Sequence, residues 1–362
     1  MDRVALAVVG EPAGPDDGRL SRRQFVRGVA ALGLSVVGLT ALGGLAGCRA
    51  LPSGLVAGEP GLETTRLRLV QVPAICLGAE YVAEDFLKAE GFADVQYIKK
   101  EGTVGIQTAL ASGEADINMH FAGPLIVQLE AGDPLVILAG GHVGCFELFG
   151  TGQVRAIRDL KGKTVAVPVG GSAAHVFLSS MAAYVGLDPR TDINWVTHPS
   201  AEAMQLLAEG KIDGYLGFPP ASQELRAKKI GHVVVNSMID RPWSQYFCCM
   251  VTGNREFVQK HPVATKRALR AILQANDVCA REPERAARFL VDKGYTPNYD
   301  YALQTMQELP YDKWREYDPE DTLRFYALRL QEAGMIKSSP QKIIAQGTDW
   351  RFLNELKQEL KA

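Results

Sequence analysis

The chain has 362 residues, 47% of them hydrophobic and 22% charged, with 39 Lys and Arg against 41 Asp and Glu. A chain of that length builds its own core and accommodates two lobes. Its near-neutral balance gives no electrostatic case for nucleic acid or an anionic membrane surface. The 6 cysteines, spread along so long a chain, do not form the spacing of a disulfide framework.

The stretch LSRRQFVRGVAALGLSVVGLTALGGLAGC combines a polar lead, the Arg22-Arg23 pair, an uncharged run from Gly28 to Gly47, and Cys48. It reads as an export signal over residues 1–47. Ser21 to Arg27 resembles the twin-arginine consensus. Leu45-Ala46-Gly47-Cys48 resembles a bacterial lipobox, whose cleavage leaves Cys48 lipidated. The expectation is a periplasmic body exported by the twin-arginine machinery and touching the membrane only through the lipid anchor or the signal segment. A retained anchoring helix is the alternative, since the run is long enough to span a bilayer.

A linker over residues 48–61 carries Pro52, Gly54, Gly58, Pro60 and Gly61. In RLRLVQV, Leu67 and Leu69 alternate with arginines until Pro73, which predicts a strand. A helix is predicted from about Leu77 to Glu90, with Gly91 as its C-terminal cap. DVQYIK, GTVGIQTAL, ADINMHF, a helix from Pro124 and LVILAG continue the alternation of strand and helix. Such alternation predicts a largely parallel sheet covered on both faces. A second round starts at IRDLKGKTVAVPVGGSAAHVF, with a strand at Thr164 to Pro168, a tight loop at Gly170 to Ser172 and a helix to Val185.

Thr108 to Pro124 and Gln205 to Ala221 align without a gap at an offset of 97, matching Gly113 with Gly210, Asp116 with Asp213 and Phe121 with Phe218. Two related units are one reading; the ordinary use of Gly and Asp at α/β turns is the other. Beyond SQYFCCMV the chain turns helical, with Asp318 and Asp321 as candidate caps, and this tail reads as cladding on one lobe.

GEADI, AGDPLVILAG, IRDLKGKTVAVP, GLDP and EGKIDGYLGFPP, taken in this order, resemble the type II periplasmic solute-binding proteins of ABC importers. The likeness is to the nitrate, sulfonate and taurine-binding (NitT/TauT) group, related to the thiamine-pyrimidine synthases of the yeast type. The resemblance implies an α/β fold with two lobes, each a mostly parallel sheet flanked by helices, and two crossing strands. Lobe I would comprise residues 62–145 and 252–362 and lobe II residues 151–244, with crossings near 145–150 and 245–253. It also implies a ligand held between the lobes and an ABC transporter permease as partner.

Ligands of open α/β sheets bind beyond the carboxyl ends of the strands. That rule selects loops carrying Cys76, Thr103, His120, Phe121, His142, Gly171, Ser172, His175 and Phe218, to which Tyr246 is added from the second crossing. The Gly171-Ser172 turn offers N–H groups and a hydroxyl to an anion, or is a plain turn with an N-cap. These loops hold no Lys or Arg, and their aromatics favour a small organic ligand with a flat or apolar part over a bare inorganic anion.

No hydrolase elbow, HExxH, P-loop or CxxC motif is present. The expectation is a binding protein without a cofactor, not an enzyme, and Asp85, Asp116 and Asp213 read as turn and helix-surface residues. His142, Cys145, Cys248 and Cys249 are the exception. If the implied crossing strands lie side by side, these residues approach and form a soft-metal or thiol site; otherwise the cysteines are buried hydrophobes. Phe247-Cys248-Cys249 resembles in part the cysteine-rich run of the synthases, which keeps a synthase-like or metal-thiolate enzyme as the alternative.

Overall fold

The computed structural model describes residues 60–360. Arg22, Arg23, Cys48 and nearly all of the linker lie outside the described residues. Among the described residues no helix is long and apolar enough to cross a membrane.

The chain begins with β1 (Arg66–Gln71), whose Leu67 and Leu69 are fully buried, paired in parallel with β2 (Asp94–Lys99). The helical segment between them ends at Gly91, whose φ of +103° is a conformation that glycine adopts at little cost. Next come β3 (Ile117–Phe121) and β4 (Leu135–Val143), both buried throughout. The second lobe holds β5 (Glu147–Gly150), β6 (Thr164–Val167), β7 (Asn194–Thr197), β8 (Gly214–Gly217) and β9 (His232–Asn236). The chain returns as β10 (Phe247–Asn254).

The strand orders are β1-β2, β3-β10-β4 and β7-β6-β8-β5-β9. In each larger sheet one strand is reversed and the others share one direction: β10 runs antiparallel to β3 and β4, and β5 antiparallel to β8 and β9. The cause is connectivity. A strand arriving from the opposite lobe enters its sheet at the end where the parallel strands leave, so it must run against them. β5 and β10 belong to different sheets, and the two segments meet just before β5, where Cys145 Sγ lies 3.1 Å from Cys248 Sγ.

The two passages related by the offset of 97 fold alike, each as helix, turn, strand and helix. Gly113 and Gly210 take φ of +72° and +69°. Asp116 Oδ2 accepts from the Arg68 N–H at 2.8 Å, and Asp213 Oδ2 accepts from the Thr164 N–H at 2.9 Å. Asp116 is therefore a buried clamp and not a surface residue, because β1 lies over it and Arg68 pairs with it at 2.5 Å.

The helical tail does more than clad one lobe. Asp318 caps the helix Pro319–Glu332 by accepting from the Glu320 N–H. That helix carries Tyr326 against Phe121 of the first lobe and Phe177 of the second, with ring centroids 5.3 and 5.8 Å apart. Apolar ring area shared by both lobes holds the tail between them.

Candidate functional site

A cleft of about 330 Å³ opens at the carboxyl ends of the strands, lined by loops of both lobes, among them Pro73, Thr103, Ser172, Met204, Phe218 and Glu224. Hydrogen bonds cross it. Ile75 N–H donates to the Pro219 carbonyl at 3.2 Å, Ala173 N–H to Thr103 Oγ1 at 3.2 Å, and Gln107 Nε2 to the Gly171 carbonyl at 3.3 Å. Among the described residues, the charged side chains of the lining are Glu101 and Glu224; none is Lys or Arg.

The Gly171-Ser172 turn is less open to an anion than its sequence suggests. Gly171 N–H donates to His175 Nδ1 at 3.1 Å, Ser172 N–H to the Val169 carbonyl, and His175 N–H to Ser172 Oγ. With Ala173 N–H on Thr103, the donors at this helix start are largely satisfied inside the protein, which is the N-cap arrangement.

At the inner end of the cleft lies a chamber of about 20 Å³. Ala74, Thr103 and Phe218 line both spaces, and the chamber adds Cys76, His120, Phe121, Cys145, Phe146 and Cys249. Room of that size holds about one water molecule or one donor atom. His120 is buried, and burial pushes it down to about 4, so its ring is neutral at pH 7. Glu80 is fully buried on the helix Gly78–Val82; burial pushes its carboxyl well up, and its Oε2 accepts from the Met119 N–H at 2.6 Å.

Four thiols gather at this floor. Cys145 and Cys248 Sγ atoms are 3.1 Å apart. Hydrogen bonds from Cys145, Cys248 and Cys76 hold the Cys249 thiol well below its ordinary range. Cys145 and Cys248 are pushed well up, chiefly by burial. Cys76 rises as well, because Cys249 and burial together outweigh the opposing pull of Cys145. The register shifts between Phe247 and Cys249 and between Cys249 and Met250 break the alternation of a regular strand, so adjacent cysteines reach one cluster. Cys145 itself has φ of +137°, an unusual conformation for a side-chain-bearing residue. Gly144 before it has φ of +65°, and a Cβ there would meet the Met238 backbone at 2.6 Å. All five cysteines of the described residues are free and buried.

The structure thus separates the residues singled out in the sequence. Thr103, Ser172 and Phe218 line the cleft, and Cys76, His120 and Phe121 line its floor; the Gly171 carbonyl accepts from Gln107 across the lobes. His142 lies fully buried among the thiols with Cys145, Cys248 and Cys249. Four of the predicted residues line neither space: Gly171 and His142, together with His175, whose ring packs edge-on against Trp195 at 4.8 Å, and Tyr246, which stacks on Phe325 at 4.1 Å. Sequence reasoning missed Ser200, Ala201 and Met204, although the loop after β7 obeys the same carboxyl-end rule. It also missed Glu80, which nothing in GAEYVAEDF distinguishes from a surface glutamate.

Residues 63–290 match the NMT1-like family. The chain belongs to that family. It is 23% identical over 324 residues to the nitrate import ATP-binding protein NrtC of Synechocystis sp., a match covering 82% of this chain and 48% of that protein. The chain therefore spans about half the length of that relative. It is 26% identical over 215 residues to the taurine-binding periplasmic protein of Escherichia coli, covering 57% and 66% of the two chains. It is 22% identical over 236 residues to the 4-amino-5-hydroxymethyl-2-methylpyrimidine phosphate synthase THI13 of Saccharomyces cerevisiae, covering 61% and 68%. The crystal structure of the periplasmic nitrate-binding protein NrtA from Synechocystis PCC 6803 superposes with a TM-score of 0.70 at 15% identity, over 83% of this chain and 90% of that one. That likeness establishes for this NMT1-like chain the two-lobed periplasmic-binding-protein fold.

Proposed function

We propose that this NMT1-like protein is an extracytoplasmic solute-binding protein that captures a small organic ligand between its lobes and delivers it to the permease of an ABC importer. The observation that carries the reading is the cleft itself, formed by loops at the strand ends of both lobes and already bridged by hydrogen bonds. A ligand that adds contacts to both walls favours the closed form, and lobe closure is then the signal to the permease.

The lining favours an organic ligand with an apolar part over a bare inorganic anion. Pro73, Met204 and Phe218 supply apolar surface, while Glu101 suits an ammonium or a protonated ring nitrogen; Glu224 is already paired with Lys228 at 2.5 Å. Taurine-like and heterocyclic ligands meet both conditions better than a simple sulfonate. Export by the twin-arginine machinery through Arg22 and Arg23, and acylation of Cys48, belong to the same proposal.

Native mass spectrometry of the protein exported in its own host tests it. The expected result is one small organic mass per chain, lost on denaturation. A protein that carries no such mass and instead consumes a substrate overturns the reading. The clustering of Cys249 with Cys76, Cys145 and His120 at the cleft floor favours a second reading, a synthase-like or metal-thiolate enzyme. Turnover abolished by Cys249→Ser in a folded protein is the result that supports it.

A further inference from the structure

We propose that the thiol cluster behind the cleft is a site for one thiophilic d10 ion, Zn(II) or Cu(I), held by His142 together with thiolates drawn from Cys76, Cys145, Cys248 and Cys249. The proposal does not depend on the solute reading. It rests on five ligating side chains that three separate segments of the chain bring to one buried point.

Cys76, His142 and Cys145 each offer a ligand atom within 4.8 Å of the others, and so do His142, Cys248 and Cys249. His142 is common to both groups. Its Nδ1 lies 3.4 Å from the Val143 carbonyl, which can only accept, so the tautomer that makes this bond is the one with the hydrogen on Nδ1. Nε2 is then left with a lone pair, and it is buried with no hydrogen-bond partner. A backbone carbonyl on one ring nitrogen and a free lone pair on the other is the usual setting of a metal-bound histidine.

Thiolate and imidazole ligands in a dry site select soft or borderline ions over hard ones. Each coordinating thiol gives up its proton to solvent. A divalent ion with two thiolates, or a monovalent ion with one, leaves the buried site neutral, which removes the penalty of an uncompensated charge. The chamber of about 20 Å³, walled by Cys76, Cys145 and Cys249, supplies an entry path and room for an exchangeable position facing the cleft.

The test uses the full chain, purified without oxygen, stripped with a chelator and loaded with Zn(II) alone or Cu(I) alone. Retained metal is counted after desalting, and Co(II) in place of Zn(II) reports thiolate ligation through its charge-transfer absorption. The expected result is one ion per chain and a thiolate charge-transfer band. Affinity should fall by about 100-fold or more in Cys249→Ser and in His142→Ala, and stay unchanged in Cys279→Ser, a buried thiol outside both groups. A wild-type chain that retains neither metal stoichiometrically, or that binds Co(II) without the thiolate band, overturns the proposal. Wild-type loading decides the matter even where a variant fails to fold. The organic mass that tests the solute reading is a separate readout, so either proposal can fail alone.

Discussion

The two passages related by the offset of 97 share a backbone plan and differ in what they do at the cleft. In the first, Asp116 forks Arg68 with its side chain 5% exposed, and Phe121 is enclosed by Phe146, Phe177 and Tyr326. In the second, the Asp213 side chain is 30% exposed beside Lys163 at 4.0 Å, and Phe218 is half-buried, touching Phe146 at 5.6 Å. One local plan therefore yields a rigid base on one side of the site and a solvent-facing wall on the other. Rings packed on every side cannot adjust to a ligand; a partly open ring with one aromatic neighbour can.

The strongest break of this comparison is at the two phenylalanines. Phe121→Ala should destabilise the protein by roughly 3–5 kcal/mol, the usual cost of emptying a fully packed aromatic site. Phe218→Ala should cost less, about 1–2 kcal/mol, since its ring is only partly buried, while weakening ligand binding more than any effect on folding would explain. Urea denaturation of both variants, paired with calorimetric titration of the ligand found by mass spectrometry, separates the two roles. Equal losses of stability would show that the wall is as rigid as the base.

The aspartates come next. Asp116→Ala removes acceptors for the Arg68 N–H and guanidinium inside the fold, and should cost about 2–3 kcal/mol. Asp213→Ala leaves the Thr164 N–H near solvent and should cost about 1 kcal/mol. Urea midpoints measured side by side give the ratio, and a larger loss for Asp213 would reverse the assignment of base and wall.

Much of this contrast was open to sequence reasoning, and the limits have physical causes. Leu67, Leu69 and the apolar run of β4 mark strands because side-chain alternation and burial leave a pattern, and Gly91, Gly113 and Gly210 mark turns because few other residues adopt positive φ there. The echo itself was visible from Gly, Asp and Phe at matching positions. Burial of Phe121 was not, because its neighbours Phe177 and Tyr326 come from distant segments. The direction of β5 and β10 depends on where the chain enters each sheet, which local sequence does not encode. Most of the thiol cluster was legible, as His142, Cys145, Cys248 and Cys249, but Cys76 joins it through the loop after β1. The register shifts at Cys249, which let adjacent thiols share one cluster, have no sequence signature.

The smallest effect tests how the second wall is tied down. Its helix Ala221–Lys228 carries Arg226, which donates to both oxygens of Glu308 in the helical tail at 2.7 and 2.9 Å and lies 3.3 Å from Glu147 at the start of β5. Glu147 is buried; burial pushes its carboxyl up from 4.5 to about 7, Arg226 pulls it down, and Glu308 adds to the rise. A carboxyl raised on folding binds its proton more tightly in the folded state. Its contribution is therefore fully present below about pH 4.5 and is lost as the pH rises through about 7. Glu147→Gln keeps a neutral side chain at every pH, so the wild type should lose about 1–2 kcal/mol relative to the variant across that window. Urea midpoints of both proteins from pH 4 to pH 8 would trace it. Parallel curves would mean that Glu147 stays ionised with Arg226, and that the tie to the tail is a three-charge network at every pH rather than the Arg226–Glu308 pair alone.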